Sequence, residues 1–179
     1  MRDTLTNLEW PSGRKGGKVL ELMAGYGRNY PVLKKNFRHV EMLDGSAEMW
    51  EHNNHPVTKH FLKIEDFKWP VDEYDCVLGV WCLCYLRGER LLDALAGMEK
   101  SVKELGYIVL MEPVLAEDSV HETVQWDENC RDEQARKQSW YERQFKRLGI
   151  KVHSIKRYPQ DGVMLFDICS FVLQDGTIM

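Results

Sequence analysis

Long apolar runs are missing from this chain of 179 residues. None reaches the ~18 residues that a membrane span needs, and the opening stretch, MRDTLTNLEWPSGRKGGKVL, is too polar for a secretory signal. A surplus of positive charge is missing too. The formal net charge is −4, so no long-range field draws the chain toward nucleic acid. Internal repeats, low-complexity tracts and domain linkers are equally absent, and the length suits a single domain over residues 1–179 with a sizeable core. Cysteine is odd in number, five in all. Without a signal peptide this implies reduced thiols and a cytosolic or nuclear setting. Cys82 and Cys84 are spaced C-x-C in an apolar stretch. They lack the further ligands a metal site needs and read as buried structural thiols. His52 and His55 flank two asparagines and read as residues of a solvent-facing loop.

What the sequence does contain is an alternation of short apolar runs and amphipathic stretches. After a glycine-rich N-terminal segment (1–17), residues 18–23 (KVLELM) read as a buried strand and 24–28 (AGYGR) as a tight loop, with a helix following to about Asn36. Residues 39–43 form a second strand that ends at Asp44, and Ser46 caps the next helix. Residues 58–64 form a third strand ending at Glu65-Asp66, and 75–84 (DCVLGVWCLC) a long central one. A helix over 90–103 is closed by Gly106, and a fifth strand over 107–111 is closed by Glu112-Pro113. Residues 114–133 read as an irregular acidic loop, 134–147 as a helix stopped by Gly149. Two last strands, 150–158 and 165–173, are joined by a turn short enough only for an antiparallel hairpin. The expected fold is α/β, with helices on both faces of a mostly parallel, seven-stranded sheet.

In such sheets ligands lie beyond the carboxyl ends of the strands. Gly25 and Gly27 allow backbone to approach a ligand without a Cβ in the way. Asp44 offers a carboxylate to both hydroxyls of a ribose, and Glu65-Asp66 borders an adenine edge. A dinucleotide fold shares the first two features, but its G-x-G-x-x-G fingerprint needs a third glycine where Tyr30 stands. The terminal hairpin also fits a methyltransferase sheet better. These features point to a class I, Rossmann-like fold that binds S-adenosyl-L-methionine.

From about Lys18 to Leu173 the chain resembles the eukaryotic protein N-terminal (α-amino) methyltransferases. The likeness is carried by Ala24-Gly25-Tyr26-Gly27-Arg28, by residues 37–44 (FRHVEMLD), by Ile64-Glu65, by Val80-Trp81 and by residues 107–114. The resemblance implies that Arg28 meets the methionine carboxylate of the cofactor and that Asp44 and Gly45 lie at its ribose. It further implies that Ile64, Glu65 and Asp66 lie at the adenine and that Glu21, Met23, Ala24 and Val80 complete the pocket. Trp81 falls where the family sets a tryptophan beside the substrate amine. The chain departs from the family at Met23, where a glycine is usual, at Glu112-Pro113, where the family has Asp-Asn, and at Tyr85, where it has a histidine. Only about seventeen residues precede the first strand, where the family has a helical extension.

Methyl transfer from a sulfonium needs an aligned nucleophile and little water. Glu112 is the expected base or acceptor, flanked by Trp81 and Tyr85, whose aromatic faces suit a cation. Trp126, Asp127 and Glu128 are expected at a substrate rim. Between 112 and 133 there are eight acidic residues, Glu112, Glu117, Asp118, Glu122, Asp127, Glu128, Asp132 and Glu133, against the single base Arg131. Such a rim attracts a cationic acceptor, such as a protein amino terminus, and repels phosphate. A small-molecule acceptor and a non-catalytic scaffold subunit with a protein partner are the competing readings.

Overall fold

The computed structural model describes residues 17–115, 118–125, 134–160 and 164–172. The chain alternates as expected through β1 (Lys18–Leu22), α1 (Tyr30–Asn36), β2 (His39–Asp44), α2 (Ala47–His52), β3 (Thr58–Phe61) and β4 (Tyr74–Val80). It continues through α3 (Gly88–Ser101), β5 (Val102–Leu115), β6 (Thr123–Gln125), β7 (Gln134–Lys137), α4 (Gln138–Arg147), β8 (Val152–Gln160) and β9 (Met164–Val172). Parallel ladders join six strands in the order β3-β2-β1-β4-β5-β7, not the seven expected. Along its Tyr107–Val114 stretch β5 also pairs antiparallel with β9, which pairs antiparallel with β8. The turn between β8 and β9, at 161–163, lies outside the described residues.

The central strands are apolar on both faces because both are covered. On one face Leu20, Leu22, Leu43, Val77, Ile108 and Leu110 pack with Leu91, Ala94, Leu95 and Met98 of α3 and with Tyr141 and Phe145 of α4. The α3 residues recur at i, i+3, i+4 and i+7, the stripe that faces a core. On the other face Val19, Val40, Met42, Leu78 and Val109 pack with Leu33 and Phe37 around α1. Glu41 on β2 accepts from Lys18 at 2.7 Å, His60 at 2.8 Å and the Tyr74 hydroxyl at 2.9 Å. Burial raises its pKa, but the three donors prevail and hold the carboxyl below its ordinary value.

Several boundaries differ from the expected ones. β3 stops at Phe61, and a one-turn 3-10 helix over Ile64–Asp66 follows. β4 stops at Val80, because Trp81 turns into left-handed backbone (φ 56°) and a second 3-10 turn spans Leu83–Tyr85. α3 ends at Ser101, so Gly106 does not cap it. Pairing jumps from Tyr74↔Val102 to Cys76↔Tyr107, and Gly106 lies in the resulting bulge, where a Cβ would overlap Val102. β5 runs through Glu112-Pro113 to Leu115, since β9 continues to pair with it there. Residues 134–137 form β7 rather than the first turn of α4.

Register sets the functional edge. Leu22 lies opposite Leu43 on one side and Gly79 on the other, so β1, β2 and β4 finish level. The chain runs outward from β1 to β3 and then returns to place β4 on the other flank of β1. The loops after these strands therefore meet at the switch in strand order.

Gly97 on α3 tests the packing. In an open helix, glycine to alanine gains up to ~1 kcal/mol, but here the new methyl would overlap the indole of Trp69. Overpacking costs roughly 1–3 kcal/mol. Gly97→Ala is expected to lower the stability measured by urea unfolding, and a gain would show that Trp69 does not cover this helix face.

Candidate active site

The loop after β1 turns on three left-handed residues, Met23 (φ 47°), Gly25 (φ 54°) and Gly27 (φ 73°). Its anchor is Asp44, which is 8% exposed. One carboxylate oxygen of Asp44 accepts from the Gly25 amide at 2.8 Å and the other from the Ser46 amide at 2.8 Å. The Asp44 side chain thus lies against the glycine turn, as the ribose assignment requires. From below, the buried Asn53 donates through Nδ2 to the Gly25 carbonyl at 3.1 Å.

The two glycines serve different ends. A Cβ on Gly25 would meet only the Met49 sulfur, at 3.8 Å. A Cβ on Gly27 would lie 2.5 Å from the His55 ring and 3.0 Å from Asn53. Gly25 leaves open space, whereas Gly27 lets the loop close onto the protein beneath it, which corrects the reading that both face a ligand. His55 is not simply solvated, since its ring stacks on Tyr30 at 4.3 Å.

A cavity of about 320 Å³ opens beyond the ends of β1, β2 and β3. Of the expected residues, Met23, Asp44, Gly45, Ile64, Glu65 and Tyr85 line it. Ser46, Leu62, Lys63 and Leu86 also line it, and sequence reasoning missed them. Glu65 meets Arg90 at 3.2 Å. Asp66, Arg28, Val80 and Trp81 are not part of this lining; Asp66 and Arg28 are exposed, Val80 is buried and Trp81 is partly buried. Ala24 is buried under the glycine turn and donates its amide to the Leu43 carbonyl at 3.1 Å. A larger groove of about 730 Å³, bordered by Lys18, Lys34 and Arg38, lies at the opposite, amino end of the strands. No strand-end loops converge there, so the smaller cavity is the better candidate site.

Glu21 is 1% exposed. One of its oxygens accepts from Asn29 at 2.6 Å, and the other, Oε2, has no hydrogen-bond partner. Burial foremost, with the charge of Asp44 adding, pushes its carboxyl up to about 7, while Asn29 and Arg28 pull the other way. A buried oxygen without a donor calls for a proton or a cationic ligand group. S-adenosylmethionine supplies hydroxyls for Asp44 and an apolar ring face for Ile64 and Leu86, which line the cavity, whereas Glu21 is not part of that lining. The residues present therefore fit that cofactor.

Glu112 does not stand where the base was expected. It is 3% exposed, and its carboxylate is used up. Oε1 accepts from the amides of Cys82 and Leu83 at 2.9 Å each, and Oε2 from that of Cys84 at 3.0 Å. Such a group anchors a loop and has no reach into the cavity. Cys76, Cys82 and Cys84 are buried, as expected of structural thiols. Trp126, Asp127 and Glu128, the expected rim, lie outside the described residues, and of the acidic run Asp118 and Glu122 are described as exposed.

The fold is shared with solved methyltransferases. A SAM-dependent methyltransferase from Leishmania major superposes with a TM-score of 0.75 at 21% identity, covering 94% of this chain and 69% of that one. The 1,6-didemethyltoxoflavin-N1-methyltransferase of Burkholderia thailandensis, solved with S-adenosylhomocysteine bound, gives 0.73 at 12% identity, covering 90% and 72%. A putative methyltransferase of Haloferax volcanii, complexed with its Trm112 activator, gives 0.77 at 17% identity, covering 97% and 88%. Comparison with curated protein sequences gave no match. The family model described as a methyltransferase domain matches residues 1–154, most of the chain. With the Asp44–glycine-loop anchor and the cavity beside it, this match establishes that the chain belongs to the methyltransferase-domain family and is an S-adenosylmethionine-dependent methyltransferase.

Proposed function

We propose that the methyl acceptor is an amine, and that the α-amino group of a protein N-terminus is the first reading. The observation that carries it is that, among the described residues, the two carboxylates lining the cavity, Asp44 and Glu65, both have partners. Asp44 is held by two backbone amides, Glu65 by Arg90, and Glu112 by three amides outside the lining. Without a strong base the acceptor must lose its proton easily. An α-amine titrates at about 7.7–8.0 and is partly free at neutral pH, whereas a lysine amine at about 10.4 is almost wholly charged. The AGYGR loop and the segment ending at Asp44 support the same reading by resemblance. Tyr85, 40% exposed at the cavity wall, offers an aromatic face to a cation. A small-molecule amine is the second reading, favoured by the modest cavity of about 320 Å³.

When bound, the cofactor supplies an electrophilic methyl on a sulfonium. The chain supplies the rest. Asp44 holds and orients polar groups, Met23, Ile64 and Leu86 exclude water, and Tyr85 faces the incoming nitrogen. In-line alignment is the main service such a site performs.

Two tests follow from this reading. Asp44→Ala is expected to weaken S-adenosylmethionine binding by more than tenfold in calorimetry, and an unchanged affinity would remove the ribose role. Mass spectrometry after incubation with the cofactor is expected to show methyl gain on peptides with a free α-amine and none on their N-acetylated forms. Gain on small amines alone would move the assignment to the second reading.

Glu21 gives a separate check on the protein without cofactor. Its folded pKa of about 7 lies above the ordinary 4.5, so the native state keeps a proton that the unfolded chain has released. Its contribution to stability is therefore full below pH 4.5 and is lost as pH rises through 7. The shift corresponds to roughly 3 kcal/mol at most. Glu21→Gln is expected to flatten the fall in urea-unfolding stability between pH 5 and pH 8, and an unaltered slope would show that Glu21 does not titrate there.

A further inference from the structure

We propose that Glu112 and Arg136 are a pair of positioning residues, one buried charge at each end of the Leu83–Tyr85 turn, which set the angle at which that turn forms the wall of the active site. The inference rests on reading the cavity beside Asp44 as the cofactor site. Trp81 leaves β4 in a left-handed conformation, which a large side chain adopts only where its surroundings impose it. Its amide still donates to the Met111 carbonyl at 2.8 Å, so the turn departs from a fixed point on the sheet.

A single 3-10 turn leaves its first amides and last carbonyls without partners inside the turn. Here Glu112, on β5, accepts from the amides of Cys82, Leu83 and Cys84. Arg136, on β7 and 2% exposed, donates at 2.5 Å to the carbonyl of Leu86, just past the turn, and at 3.0 Å to that of Leu83, which also accepts the Leu86 amide within the turn. Negative charge thus sits at the amino end and positive charge at the carboxyl end, the arrangement that complements the peptide dipoles. Tyr141 of α4 feels both groups: burial and then Glu112 raise its pKa, and Arg136 lowers it.

Neutral side chains could satisfy one or two of these groups at lower desolvation cost. What a carboxylate adds is the capacity to accept several amides at once, and what a guanidinium adds is a planar fork for two carbonyls. Both capacities fix orientation. Tyr85 and Leu86, held between them, line the cavity. A change in either charge therefore reaches the cofactor wall although neither side chain lies in it.

Amide hydrogen exchange, read by NMR, tests this together with calorimetry using S-adenosylhomocysteine. In the wild-type protein the amides of Cys82, Leu83 and Cys84 are expected to exchange at least tenfold more slowly than those of the exposed residues 87–89. Glu112→Gln and Arg136→Lys are each expected to speed exchange over residues 82–86 at least tenfold, to leave the Gly25 and Ser46 amides unchanged, and to weaken ligand binding three- to thirtyfold. Unchanged local exchange in a folded variant would overturn the proposal. So would acceleration shared equally by Gly25 and Ser46, or local acceleration with unaltered affinity. Fast exchange of the three amides in the wild-type protein would overturn it even if neither variant folds. Wild-type protein that binds no ligand would instead defeat the reading of the cavity, and the exchange data would still decide whether the turn is held by the two charges.

Discussion

One carboxylate holds the cofactor edge of this molecule together. Asp44 ends β2, and its two oxygens take the amides of Gly25 and Ser46, so the loops that follow β1 and β2 share one anchor. Hydrogen bonds to a charged acceptor are each worth roughly 1.5–3 kcal/mol. That is enough to offset the strain of a left-handed Met23, which runs to about 1–2 kcal/mol. Parallel pairing of β1 with β2 brings Asp44 to the turn, and the pairing in turn depends on runs such as VLEL and VEML that bury both faces of a strand. The site is thus a consequence of sheet register, not a separate addition to the fold.

The buried charges sort by whether their valence is filled. Glu41 has three donors, Glu112 has three amides, and Arg136 has two carbonyls and the side chain of Gln134. These groups hold structure. Glu21 has a single donor and an oxygen left over. Burying a polar atom without a partner costs more than a typical hydrogen bond returns, so Glu21 is the buried carboxyl that holds its proton up to about pH 7.

Much of this was legible in the residues. The strands could be read because doubly covered strands are apolar throughout, and Asp44 because an acid that closes such a run has few structural uses. Ser46 was read as a cap and does accept from the Met49 amide at 3.3 Å. Misread features share a cause: partners remote in sequence decided them. Glu112 looks like a solvent-facing strand end until the amides of residues 82–84 come to it. Gly106 looks like a helix stop, but the shift in β4–β5 pairing claims it for a bulge. Residues 81–84 extend an apolar run, yet the chain turns at Trp81. Asn53 and Arg136 carried no local signal at all, since an asparagine or arginine in a polar stretch ordinarily meets water.

Met23 has a consequence for ligand choice. A glycine in that left-handed position would be unstrained and would leave its volume empty. The methionine instead projects a flexible, polarizable thioether into the cavity wall. Such a side chain conforms to whatever lies against it at little cost, so this corner recognises contour loosely. A glycine at the same corner would leave a roomier recess with no side chain to adapt to its occupant.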